Sequence, residues 1–143
     1  MSEATSQVVA DTHVLVWYLI NSARLSSAAR QALEGCVADG HPIVVNSISL
    51  VEIVYAVEKV KDPLTGAQRD YIFDVLDRDD SSFLVVPTSP AIARAMAVID
   101  RESLPDPAHR SIAGTALTLK LGLVSGDNRL RGAGEDGLLN VIW

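Results

Sequence analysis

The chain has 143 residues, of which 48% are hydrophobic and 5% aromatic, and its 12 basic and 18 acidic residues leave a formal charge of −6. This predicts one domain over residues 1–143, with a mainly aliphatic core, and it excludes a generic polycationic nucleic-acid binder. A single cysteine, Cys36, excludes an internal disulfide, and no uninterrupted apolar run approaches the roughly 18 residues that would span a bilayer.

Residues 7–10 read as a short buried strand. Asp11-Thr12 caps a helix running to about residue 20, where Asn21-Ser22 stops it. Ser26 or Ser27 caps a second helix that ends at Asp39-Gly40. It contains Cys36, expected as buried filler. Residues 42–46 contain Ile43-Val44-Val45, a second buried strand. A helix opens at Ser47 or Ser49 and runs through about residue 61, where Asp62-Pro63 breaks it. Residues 65–79 carry Tyr71, Val75 and Leu76 at helical spacing. Residues 83–87 form a third strand. Ser89-Pro90 starts a helix with Ile92, Met96 and Ile99 on one side. Asp106-Pro107 starts another, which Gly122 ends. Residues 123–125 and 140–143 complete the strands.

The strands are short and apolar without clear alternation, and helices separate them. That is the pattern of a parallel sheet buried on both faces in a three-layer α/β domain. Ligand sites in such sheets lie beyond the carboxyl ends of the strands. Asp11 and Asp127 sit at or just past strand ends. Asp106 opens a helix, and Glu52 lies one turn into one. The topology therefore directs four carboxylates toward one edge. Converging carboxylates repel one another unless a cation sits among them, and such clusters hold Mg²⁺ or Mn²⁺ for phosphodiester chemistry. Each acid also has a plainer role. Asp11 and Asp106 suit helix caps, and Asp127 suits a turn. Glu52, among Leu50, Val51, Ile53 and Val54, must be buried or at a cleft.

Four blocks carry a resemblance. They are Val9-Ala10-Asp11-Thr12-His13-Val14-Leu15-Val16-Trp17; Val45-Asn46-Ser47-Ile48-Ser49-Leu50-Val51-Glu52-Ile53; Asp106-Pro107-Ala108-His109-Arg110-Ser111-Ile112-Ala113-Gly114-Thr115-Ala116-Leu117; and Leu123-Val124-Ser125-Gly126-Asp127-Asn128-Arg129-Leu130. In order and spacing they resemble PIN domains of the VapC-like toxin group over essentially the whole chain. The resemblance implies a PIN-like fold and a metal-dependent RNA endonuclease. It further implies the toxin of a toxin–antitoxin pair, dimeric and inhibited by a small antitoxin protein. Asp11, Asp106 and Asp127 would hold the ion, and Glu52 would orient the attacking water or accept its proton. Water rather than the 2′-hydroxyl attacks, so the product would carry a 5′ phosphate.

The third block departs from that group. Its members usually carry a second acid three residues after the first, where this chain has His109. Imidazole suits Mn²⁺ better than Mg²⁺. His109 is therefore expected as a metal ligand, as a proton donor or as a surface residue. The same departure supports an alternative: a catalytically weak PIN module acting mainly as a protein-binding partner. A third reading is an unrelated α/β phosphohydrolase with a small closed pocket. His13 is expected on another helix face from Asp11, and His41 in a turn; both read as structural. Arg110, Arg129 and Arg131 flank the third and fourth blocks and are expected at RNA phosphates. Trp17 reads as core or as part of an antitoxin groove. The polar start, Met1-Ser2-Glu3-Ala4, lacks a basic leader, so a cytoplasmic protein without membrane contact is expected.

Overall fold

The computed structural model describes residues 5–143; the polar start lies outside them. β1 (Val8–Ala10) leads into α1 (Thr12–Leu19) and α2 (Ser27–Ala38). β2 (Ile43–Asn46) leads into α3 (Ile48–Val57) and α4 (Gly66–Asp77). β3 (Phe83–Val86) is followed by α5 (Pro90–Ala97) and α6 (Pro107–Leu119). β4 (Gly122–Val124), α7 (Asn128–Glu135) and β5 (Val141–Ile142) close the order. All four strand pairings are parallel, in the order β3-β2-β1-β4-β5. The three-layer α/β PIN-like architecture expected from the sequence is the one observed.

Alternate residues of each strand feed opposite layers, which explains the continuous apolar runs. Val8, Ala10, Ile43, Val45 and Val124 pack with Val14, Leu15, Leu33 and Ile53 on one face. Val9, Val44 and Leu123 pack with Ile112, Ala113, Ala116 and Leu130 on the other. Cys36 is fully buried in the first layer, as filler. The chain moves outward from β1 to β2 and β3, then returns to β4 on the other side of β1. The carboxyl ends of β1 and β4 therefore flank the switch point, where open parallel sheets place their ligands.

Four local expectations are corrected. α3 stops at Val57 rather than near residue 61. Leu64 N–H bonds Ala56 C=O at 3.0 Å, so the chain folds back, and fully exposed Val60 gives no apolar reason to continue. Ile99 lies past the end of α5, although it is buried. α6 ends at Lys120 in the left-handed region, φ 57°, and not at Gly122. Gly122 belongs to β4, where a Cβ would come within 3.3 Å of Ile142 and 3.4 Å of Asn140. α7 was not expected: Gly132 and Gly134 weaken its helical pattern, and only Leu130 and Ala133 are buried.

Candidate active site

Asp11 follows β1 directly and caps α1, with its Oδ1 accepting Thr12 N–H at 2.8 Å. The residue is only 1% exposed. Its Oδ2 accepts the Ser125 hydroxyl at 2.7 Å. Such donors offset the cost of burying a carboxylate. Buried Ser125 Oγ in turn accepts Asp127 N–H at 3.0 Å. Asp127 caps α7, its Oδ2 taking Arg129 and Leu130 N–H at 3.0 and 3.1 Å. One serine thus ties the first acid to the fourth across the switch point.

Glu52 arrives from α3. Its Oε1 accepts the Thr12 hydroxyl, which spends that residue's one proton. The Ser49 hydroxyl, 2.8 Å from Thr12 Oγ1, is then the donor in their pair. Burial raises the Glu52 pKa, and Asp11 and Asp106 add to the rise. The folded state therefore holds this proton more tightly than the unfolded chain. Stability is lost as pH rises from the ordinary glutamate range through the raised value. Glu52→Gln removes that loss while keeping an acceptor for Thr12. The metal-free variant is expected to melt slightly above wild type at neutral pH, because the group is only partly buried and solvent screens much of the effect. The gain should vanish below the ordinary glutamate range. Thermal melts across that window check it, and a variant that melts lower at neutral pH would contradict the account.

Asp106 caps α6 through Ala108 N–H at 2.8 Å and is half exposed. His109 stands between it and Asp127. Nδ1 lies 3.9 Å from Asp106 Oδ2, and Nε2 lies 3.8 Å from Asp127 Oδ1. Both distances exceed hydrogen bonding. The ring spans the third and fourth blocks as a spacer between two carboxylates.

His13 departs from expectation. Asp11 is an N-cap with extended backbone, φ −67° and ψ 161°, so helical spacing does not separate the two residues. Nδ1 sits 3.3 Å from Asp11 Oδ2, and Nε2 accepts Gly126 N–H at 2.9 Å. Burial lowers the pKa of the ring, outweighing the nearby Asp11 and Asp127 charges. The imidazole is therefore neutral, with its proton on Nδ1. His13 also packs edge-on against Trp17 at 4.8 Å and Trp143 at 5.9 Å.

The arginines divide. Arg110 does not face the site: its guanidinium donates to Met96 O at 2.6 Å and Ile99 O at 3.0 Å, closing the end of α5. Its Nη2 is thereby committed to α5, and its Nε is buried without a hydrogen-bond partner, so neither is offered to a phosphate. Exposed Arg129 reaches Glu102 O at 3.3 Å. Arg131 lines a separate hollow with Asn140 and Trp143.

Among the described residues, no lysine or arginine side-chain nitrogen comes within 4.0 Å of a carboxylate oxygen of Asp11, Glu52, Asp106 or Asp127. Among the described residues, the four acids are charge-linked across the site and faced by the histidines His13 and His109. Also among the described residues, no three potential ligands are already drawn to metal-binding spacing. A hydrated Mg²⁺ needs only one or two carboxylates. The carboxylates of Asp11, Asp106 and Asp127, with no lysine or arginine side chain against them among the described residues, fit such an ion, and His109 adds a nitrogen that suits Mn²⁺. Asp11, Thr12, Glu52 and His109 form one part of the wall of an open cleft of about 830 Å³. Trp17, Tyr55 and Lys59 also line it. Its openness and size disfavour the small closed pocket of the phosphohydrolase reading.

The PIN domain family matches residues 8–135. Ribonuclease VapC22 of Mycobacterium tuberculosis H37Rv is 32% identical over 125 residues, covering 87% of this chain and 89% of that protein. VapBC2 from Rickettsia felis, solved bound to a DNA fragment from its promoter, superposes with TM-score 0.65 at 17% identity over 94% of this chain and 96% of that one. FitAcB from Neisseria gonorrhoeae gives 0.63 at 17% identity, with the same coverage. The two solved structures speak to fold alone.

Proposed function

The chain belongs to the PIN domain family, and from that premise we propose that it is a divalent-metal-dependent RNA endonuclease, the toxin of a type II toxin–antitoxin pair. One observation carries the reading: a nearly buried Asp11 carboxylate is tied through Ser125 to Asp127, with no lysine or arginine to neutralise either. The similarity to a relative named a ribonuclease supports the same substrate.

Asp11, Asp106 and Asp127 would hold Mg²⁺ or Mn²⁺, with His109 as a nitrogen ligand. The bound ion would supply charge for the scissile phosphate and a lowered pKa for water. Glu52, its pKa raised by burial, accepts the proton of the attacking water. Asp127 and Asp11 stay in register because Ser125 bonds both. Exposed Arg129, whose Nη1 also reaches Glu102 O, would meet a backbone phosphate, with Arg131 further along α7.

The test is cleavage of total RNA by metal-stripped protein with Mg²⁺ or Mn²⁺ added back. Fragments bearing 5′ phosphates are expected with metal and none without. Cleavage that persists in chelator, or fails with both ions, overturns the reading. The second outcome would favour a catalytically weak PIN module that works mainly by binding a partner protein, which the missing carboxylate at His109 already points toward.

α3 presents Val51, Val54 and Tyr55 to solvent at 49%, 40% and 66% exposure. We assign this apolar strip, with the neighbourhood of Trp17, to a homodimer contact and to a small antitoxin in the cytoplasm. Light scattering should return twice the chain mass, and Tyr55→Glu should halve it. A monomeric wild type at tens of micromolar would remove the dimer. Among the described residues no helix is long and apolar enough to cross a membrane.

A further inference from the structure

Asp11 Oδ2 has two neighbours competing for its lone pairs, Ser125 Oγ at 2.7 Å and His13 Nδ1 at 3.3 Å. Oδ1 has one, Thr12 N–H at 2.8 Å. The same two side chains hold the backbone that carries Asp127. Ser125 Oγ accepts Asp127 N–H at 3.0 Å, and His13 Nε2 accepts Gly126 N–H at 2.9 Å. Two consecutive amides after β4 are thus each tied to one oxygen of the acid after β1. Gly126 cannot be replaced without moving its surroundings, since a Cβ there would meet the Trp143 ring at 2.7 Å. Trp143 and Trp17 also flank the imidazole and limit its rotation.

We propose that His13 is a positioning residue: held as the Nδ1–H tautomer, it turns Asp11 so that Oδ1 is left open to a ligand, and it fixes Gly126 so that Asp127 faces the same point. The inference rests on the nuclease reading only for the identity of that ligand. A carboxylate oxygen accepts about two hydrogen bonds through its lone pairs. Oδ2 takes the Ser125 hydroxyl and has the His13 Nδ1 edge 3.3 Å away, while Oδ1 takes Thr12 N–H alone and keeps one vacancy. Outer partners of this kind typically set ligand affinity or activity by about 10–100-fold. In a free histidine side chain the proton favours Nε2, so the Nδ1–H form is a signature of this circuit rather than a default.

Three measurements on the full chain test it. The first is long-range ¹⁵N–¹H correlation on metal-free protein, expected to show His13 Nδ1 protonated and Nε2 unprotonated. A ring protonated on Nε2 overturns the proposal whatever the RNA result. The second is amide exchange at Gly126 and Asp127, expected to quicken in His13→Ala and at Gly126 in His13→Asn. Unchanged exchange in His13→Ala overturns the tether. The third is Mn²⁺ titration of metal-free variants. His13→Ala should bind about 10–100-fold more weakly. His13→Asn, whose amide nitrogen takes the place of Nδ1, should recover several-fold of that loss. Equal affinity in wild type and His13→Ala overturns the role toward Asp11. If wild type binds Mn²⁺ yet cleaves no RNA, the nuclease reading fails while the tautomer and exchange results still decide this one. If His13→Ala does not fold, the wild-type spectrum and His13→Asn decide it.

Discussion

Asp127→Asn is expected to reduce RNA cleavage by about a thousandfold while leaving the melting temperature near that of wild type. The substitution keeps an oxygen to cap α7, where Oδ2 now accepts two backbone N–H groups. It removes one charge from a site that contains no lysine or arginine partner. Deleting one preorganised electrostatic group from an active site costs about 3–4 kcal/mol of transition-state stabilisation, or 10²–10³-fold in rate. Asp11→Asn should lose as much activity and more stability. Its amide nitrogen would face His13 Nδ1–H, donor against donor, if Oδ1 continued to cap α1. A melting loss of several degrees in that variant, absent from Asp127→Asn, follows from the geometry. Circular dichroism melts beside single-turnover cleavage of end-labelled RNA separate the two effects. Wild-type rates with unchanged metal dependence in either variant would remove it from the site.

Asp11, Asp106 and Asp127 were legible because each obeys a local rule. A strand ending in Asp, or Asp before Pro, predicts a helix cap at Asp11 and Asp106, and the turn expected at Asp127 is the cap of a further helix. Capping is compatible with a place in the proposed site: Asp106 caps through Oδ1 and Asp127 through Oδ2, which leaves their other oxygens facing His109, while Asp11 caps through Oδ1 and gives Oδ2 to Ser125. Glu52 was legible from the cost of an acid in an apolar stretch. His13 was not. Reading it on a helical face assumed that Asp11 lay within the helix, when the cap sits outside with extended backbone. Arg110 was misread because nothing local reveals that two carbonyls, 14 and 11 residues earlier, await its guanidinium. Those partners exist only once α5 and α6 are packed. Gly126-Asp127-Asn128 reads as a turn, and the helix that Asp127 caps is not visible from it. Two glycines hide a short helix whose stability comes from Leu130 and Ala133 meeting the sheet. The recurring failure is the same: tertiary partners chose the role, and the local residues only allowed it.

His109→Asp is expected to move the protein toward Mg²⁺. In the wild type both ring nitrogens face carboxylates, Asp106 at 3.9 Å and Asp127 at 3.8 Å. The imidazole adds a nitrogen donor and no negative charge of its own, which favours Mn²⁺ over the oxygen-seeking Mg²⁺. An aspartate there sets a third carboxylate between two others, so the metal-free variant should melt below wild type through repulsion. The same repulsion is relieved by an ion, so the shift on adding Mg²⁺ should grow. A ligand at a hundredfold excess over its Kd adds about 2.7 kcal/mol, which for a chain of this size is on the order of 10 °C. That shift should appear with Mg²⁺ at lower concentration in His109→Asp than in wild type. His109→Ala separates the ligand from the spacer. If the ring binds the ion, Mn²⁺ affinity falls in His109→Ala and the Mn²⁺ preference disappears. If the ring only holds Asp106 and Asp127 apart, Mn²⁺ affinity stays and only the metal-free melting temperature drops. Indistinguishable binding curves for both ions in all three proteins would exclude His109 from the metal site and leave Asp106 as the third-block ligand.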